Sequence, residues 1–242
     1  MLGLDLGRPR EGAYRVLVVG AHADDAEIGC GGTVLHLIGQ GLPLRVTWVV
    51  LSAGGARERE AHGSAAAFLK DAEQADVVVR SFRDGFFPWL GAEIKELFET
   101  LKPAEPDLIL VHRRDDAHQD HRLVAELTWN TFRDHLILEY EIPKYDGDLG
   151  QPNLFVPLPA AACERKVELL LEGFPSQRTR RWFTPDTFWS MLRLRGIEAG
   201  SPSGFAEGFH CRKAVVGSIM PGGSRPASHP VEVRADRGGA PA

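Results

Sequence analysis

The sequence predicts an α/β protein, a three-layer sandwich around a mostly parallel sheet, and three observations carry that expectation. Short β-branched or apolar runs alternate with helical patterns from residue 16 to residue 142. The run at 108–111, Leu-Ile-Leu-Val, is apolar without alternation, as a strand covered on both faces requires. The first run, Val16 to Val19, passes through small residues onto a glycine-rich helix start. In open parallel sheets that strand, loop, helix order places the loop in the ligand crevice.

The elements follow in order. After the strand at 16–19, a helix covers 33–38 with the glycines before it, and the stretch 39–43 stops it. A second strand spans 44–51, a loop of small residues follows to 56, and an Ala- and Glu-rich helix runs over about 57–72. A short third strand at 77–79 leads into an aromatic exit loop at 81–89 and a helix over 92–101, after which Pro103 and Pro106 bracket a turn. Behind the fourth strand at 108–111 a helical pattern extends from Gln119 to about Arg133, and 136–142 supplies a further strand. Residues 143–159 are too long for a mere linker, a length at which loops carry function. A helix over 161–172, an aromatic and arginine-rich stretch at 174–189 and a helix to Arg195 come next. Residues 206–209 with 213–219 are expected to add one last edge strand. From Pro221 the chain is Pro, Gly, Ser and charge with little to bury, so 1–220 reads as one domain and 221–242 as a disordered tail.

Composition narrows the function. A chain of 242 residues, 43% of them hydrophobic, fills one α/β core and would be cramped as two. A net charge of -5 and the lack of a long Lys/Arg run remove the electrostatic case for nucleic acid or an anionic membrane. Cys30, Cys163 and Cys211 are far apart and odd in number, which argues against a disulfide framework. No basic n-region opens the chain and no apolar segment reaches the length of a membrane span, so a soluble protein of the reducing cytoplasm is expected.

Chemistry concentrates in two loops at strand ends. His22, Asp25 and His121 make a set of two imidazoles and a carboxylate, the kind of three-ligand set that catalytic zinc sites use while a further position stays open. Beside it, Asp24 is placed to act as general base. His118 could stabilise an oxyanion and protonate a leaving amine, with Asp120 orienting His118. The neighbouring residues have plainer readings. Gly29, Gly31 and Gly32 do not make a G-x-G-x-x-G phosphate fingerprint and are expected to let the helix pack close to the sheet. Cys30 reads as a small buried hydrophobe, His112 as structural, His36 and His62 as solvent-facing, and Asp115 and Asp116 as caps of the following helix.

Together, A-H-A-D-D-A-E-I-G-C-G-G-T and D-D-A-H-Q-D-H-R resemble the paired signature of the PIG-L (LmbE-like) family of metal-dependent de-N-acetylases. The similarity covers the order of elements from Val16 to about Val156 and, more loosely, the C-terminal A-E-G-F. Ala23 stands where the family pattern has proline, which loosens the loop but removes no ligand. The resemblance implies a Rossmann-like sandwich, with His22, Asp25 and His121 binding Zn2+, or Fe2+ or another divalent metal in the same site. It implies Asp24 as base and His118 as oxyanion stabiliser with Asp120 behind it. By the same analogy Arg57 and Glu60 contact the substrate or support its neighbours, and Asp84 hydrogen-bonds a sugar hydroxyl.

The function expected is a zinc-dependent hydrolase that removes an N-acetyl group from an amino sugar or glycoside through metal-activated water. The alternatives are a metal-dependent amidase on a non-sugar amide such as a thiol conjugate, and a non-catalytic Rossmann-like nucleotide-binding module. Arg181, Trp182 and Phe183 suit a subunit interface as well as a pocket, which leaves a homo-oligomer open.

Overall fold

The computed structural model describes residues 12–215 together with Gly3 and Pro9; the expected tail at 221–242 and the end of the 213–219 segment lie outside the described residues. Among the described residues, seven strands form one sheet: β1 (Tyr14–His22), β2 (Leu44–Ser52), β3 (Gln74–Val79), β4 (Leu108–His112), β5 (Leu136–Tyr140), β6 (Leu154–Pro157) and β7 (Ala206–Cys211). Their order is β3-β2-β1-β4-β5-β7-β6. The first five in that order are mutually parallel, whereas β7 is antiparallel to both β5 and β6. The α/β expectation holds. The chain runs outward from β1 through β2 to β3, then returns to β4 on the other side of β1, so the two strands that deliver the motifs are neighbours at the point where the order reverses.

Six α-helices among the described residues cover the two faces: α1 (Asp25–Gly39), α2 (Ala56–Phe68), α3 (Gly91–Leu101), α4 (Gln119–Thr131), α5 (Ala160–Gly173) and α6 (Pro185–Ala199). Alternation along β1 sorts them. Val16 and Val18 face one core with Ile28 and Val34 of α1, Phe68 of α2, Leu170 of α5 and Leu192 of α6. Leu17 and Val19 face a second core with Ile94 and Phe98 of α3 and Val124 of α4. None of the described helices is long and apolar enough to cross a membrane.

The glycines of α1 do what close packing asks. A Cβ on Gly29 would stand 2.2 Å from Tyr140 Cδ2, and one on Gly32 would stand 2.6 Å from Leu158 Cδ1. The helix therefore lies against the sheet end with no room for a side chain.

Two expectations are corrected. The last strand, β7, is not an edge: it lies between β5 and β6, and the edge on that side is β6, which falls inside the connection expected to be a loop. At four residues ending on Pro157, β6 carries too little apolar pattern to stand out, and an edge is where a strand tolerates proline. α6 begins at Pro185, inside the aromatic and arginine-rich stretch after which the helix was expected, and runs past Arg195 to Ala199, with Thr184 as N-cap accepting from the Thr187 N–H at 3.4 Å and proline at the first position.

Candidate active site

The site lies at the carboxyl ends of β1 and β4. His22 is the last residue of β1, and its backbone N–H donates to Asp25 Oδ2 at 2.6 Å, which folds the Ala23–Asp24 turn tightly into the start of α1. His118 is the N-cap of α4, so His118 and His121 sit one turn apart at that helix start. His22 Nδ1, His121 Nε2 and Asp25 Oδ2 form a triangle with edges of 3.2, 3.2 and 3.5 Å. Two ligands bound at about 2.0–2.1 Å across a tetrahedral angle stand about 3.3–3.4 Å apart, so the donor set has the spacing that a zinc-sized ion requires. Asp25 and His121 are buried, and His22 is nearly so.

Electrostatics agrees with a cation position between them. Burial pushes the Asp25 carboxyl up, but His121, His112 and His22 outweigh it and hold the carboxyl well below its ordinary range. Burial and the neighbouring His112 lower His121 to about 4, so at neutral pH its ring is uncharged and offers a lone pair. Burial works against a charge on His22 too, but Asp25, Asp120 and Asp84 together overcome it and raise that imidazole well above its ordinary value. His22 Nδ1 and His121 Nε2 face each other 3.2 Å apart, in the place where a divalent ion would sit.

Asp24 lies beside this triangle, buried, and its Oδ1 accepts from Arg57 Nη2 at 2.8 Å. Burial raises its pKa and Arg57 opposes the rise, which leaves a carboxylate more basic than an exposed one. Asp84 Oδ1 stands 3.0 Å from His22 Nε2 with its side chain largely exposed, so it is reachable by a ligand.

Asp120 is placed differently from expectation. Its carboxylate accepts from the backbone N–H groups of Gly85 at 2.6 Å and Phe87 at 3.1 Å and faces His22 Nε2 at 3.4 Å. Its bond to His118 runs instead from its own backbone N–H to His118 Nδ1, at 3.3 Å. Glu60 does not join the group: its two carboxylate oxygens accept from the backbone N–H and hydroxyl of Ser176, at 2.9 and 2.5 Å.

Two residues given plain readings by sequence belong to the site. His112, at the end of β4, is fully buried, stacks on His121 with centroids 3.9 Å apart, and accepts the Ala21 N–H at Nε2 (2.9 Å) while lying 3.2 Å from Asp25 Oδ2. Asp116 caps no helix. Its Oδ2 is 3.1 Å from His121 Nδ1 and its Oδ1 accepts the His118 N–H at 2.7 Å, so it orients a candidate ligand in the carboxylate–histidine manner that metal sites use. Asp115 is exposed and pairs with Arg212 at 2.6 Å. The only signal for Asp116 in the sequence was its place two residues before His118.

A His–Asp–His donor set with an adjacent carboxylate, mounted at the switch point of a Rossmann-like sheet, defines an LmbE-like α/β protein. Residues 17–132 match the family model described as PIG-L, GlcNAc-PI de-N-acetylase. Solved structures share the fold. The conserved protein TT1542 from Thermus thermophilus is 20% identical, with a TM-score of 0.66 over 84% of this chain and 96% of its own. The N,N'-diacetylchitobiose deacetylase from Pyrococcus horikoshii is also 20% identical, with a TM-score of 0.64 over 85% and 86%. The 4-carboxy-2-hydroxymuconate hydratase GalB from Pseudomonas putida KT2440 is 17% identical, with a TM-score of 0.64 over 86% and 100%.

Proposed function

We propose that this chain is a divalent-metal-dependent de-N-acetylase that hydrolyses the N-acetyl amide of an amino sugar or glycoside. The observation that carries the reading is the triangle of His22, Asp25 and His121 with the Arg57-held Asp24 beside it. One face of the assembly binds a cation and the neighbouring group accepts a proton. Zinc is the ion its nitrogen and oxygen donors suit, with Fe2+ fitting the same set. Bound there, the ion polarises the amide carbonyl and lowers the pKa of water from about 16 towards about 7.

The protein's own groups do the rest. Asp24 takes the proton as water adds to the carbonyl carbon, with Arg57 fixing the orientation of its carboxylate. His118, whose Nδ1 accepts the Asp120 N–H, donates its Nε2–H to the oxyanion, and the proton taken by Asp24 passes to the amine as the C–N bond breaks, so that acetate and a free amine leave. Asp84, exposed next to His22, suits a sugar hydroxyl. Since the same fold carries a hydratase in the Pseudomonas protein, the fold does not select the reaction, and the family match over 17–132 supports amide hydrolysis.

The test combines elemental analysis with acetate release from N-acetyl amino sugars, their glycosides, N-acyl amino acids and acylated thiol conjugates. Purified protein should carry about one equivalent of zinc or iron and release acetate from a sugar substrate. His121→Ala should lose the metal. Asp24→Asn should keep it while turnover falls by about 10²–10⁴-fold. Turnover confined to non-sugar amides would move the substrate class, and full activity in metal-free protein would overturn the mechanism.

A further inference from the structure

The segment 143–153 has no part in the chemistry above, yet it is fastened to the site by its charges. Lys144 Nζ lies 3.0 Å from Asp116 Oδ2, the same oxygen that stands 3.1 Å from His121 Nδ1. Lys144 is itself clamped by both carboxylate oxygens of Asp148, at 2.5 and 2.6 Å, and Asp148 Oδ2 also accepts the Ala117 N–H at 2.6 Å. Arg113 hydrogen-bonds the Asp148 carbonyl. At the far end, Gly150 N–H donates to Glu141 Oε1 at 3.1 Å, and its carbonyl accepts from Arg195, which holds Glu141 bidentately at 2.8 and 2.9 Å. The Lys144, Asp116 and Asp148 side chains are 11, 3 and 15% exposed.

These contacts are more than a loop needs for its own order. A buried lysine ammonium is costly unless its charge is answered, and here two carboxylates answer it. One of those carboxylates has a second task, because its position decides which nitrogen of His121 carries the proton. With His121 Nδ1–H directed at Asp116, Nε2 is free to face His22 and Asp25. We propose that Lys144 is a positioning residue for the metal centre. It fixes the Asp116 carboxylate and through it the tautomer and aim of His121, and Asp148 holds Lys144 in place from the loop.

The inference rests on the metal-site reading above, and the experiment separates their failures. Metal-free wild type, Lys144→Met, Asp116→Asn and the double variant would be titrated with Zn2+ against a chromophoric chelator, with the melting of each metal-free protein recorded alongside. Asp116→Asn and Lys144→Met should each weaken Zn2+ binding by about 10–100-fold, the range for loss of a ligand's outer partner. In the double variant the losses should not multiply, because Lys144 acts through Asp116. Should Lys144→Met fail to fold, Lys144→Gln removes the charge while keeping a hydrogen-bonding end, and at least a several-fold loss is expected of it. Zn2+ affinity within twofold of wild type in a folded Lys144 variant overturns the proposal and leaves the metal site standing. So does an equal loss from the lysine substitution with and without Asp116. A wild-type protein that binds no Zn2+ overturns both readings.

Discussion

His118 shows how much a single side chain's surroundings decide. Its ring stands edge-on to His22, with centroids 5.0 Å apart, and 4.6 Å from that of His121. The Asp120 N–H occupies Nδ1, which leaves Nε2 as the nitrogen to act on a ligand. If that nitrogen serves the transition state, His118→Ala should lower kcat by about 10²–10⁴-fold with a smaller rise in KM and unchanged metal content. Steady-state kinetics with paired elemental analysis checks this, and a rise in KM at near-normal kcat would make His118 a substrate binder. The motif residues were legible because their spacing is local: H-x-x-H places two imidazoles one turn apart at a helix start, and H-x-D-D puts a carboxylate on each side of a turn. His112, Asp116 and Lys144 were not. His112 reaches the site through the pairing of β1 with β4, Asp116 by turning back onto His121, and Lys144 by crossing 28 residues of sequence to Asp116. Nothing in their own neighbourhoods distinguishes them from a strand-end histidine, a cap and a solvated lysine.

At the scale of the element, the loop after β3 joins the chemistry to a surface. Its backbone is bound by the Asp120 carboxylate at Gly85 and Phe87, and Gln119 hydrogen-bonds the Gly85 carbonyl. Phe87 packs fully buried, stacking on His22 with centroids 6.0 Å apart. The same loop holds Phe86 and Trp89 outward, 38 and 71% exposed, with ring centroids 5.7 Å apart and the Arg83 guanidinium 3.5 Å over Phe86. Exposed aromatic area beside a site suits the part of a substrate beyond the scissile amide, a second sugar ring or an aglycone. Trp89→Ala should therefore raise KM about 3–10-fold for aryl or disaccharide substrates, from stacking worth about 0.5–1.5 kcal/mol. KM for the bare monosaccharide should move less than twofold. Equal effects on both, in a parallel kinetic comparison, would place Trp89 outside the substrate's path. Elements with strong patterns, β1, β2, β4, α3 and α4, could be read from sequence. β3 begins at Gln74 rather than Val77 because an exposed edge strand carries polar residues that hide its start.

The whole molecule depends on joining the β1-side motif helix to the antiparallel end of the sheet, and a buried ion pair makes the join. Glu207 of β7 accepts from the backbone N–H groups of Gly32 and Thr33 at 2.8 and 2.7 Å, from the Thr33 hydroxyl at 2.6 Å, and from Lys166 Nζ of α5 at 2.6 Å. Lys166 also donates to the Ile28 carbonyl at 2.6 Å, so α1, α5 and β7 meet at one carboxylate, with Lys166 and Glu207 both buried. Gly32 makes the meeting fit, since a Cβ there would lie 2.8 Å from Glu207 Oε1. The stretch A-E-G-F at 206–209 thus acts here through the hydrogen bonds and ion pair of Glu207. Lys166→Met removes the cation and leaves a buried carboxylate with neutral donors alone, a change expected to cost about 3–5 kcal/mol. For a domain of this size that lowers Tm by about 6–20 °C. Adding Glu207→Gln should recover part of the loss, because an amide needs no countercharge, and the two changes together should cost less than the sum of their single effects. Denaturant unfolding of the three variants checks the coupling. Strict additivity would mean that Lys166 and Glu207 stabilise the fold independently, through their separate bonds to α1.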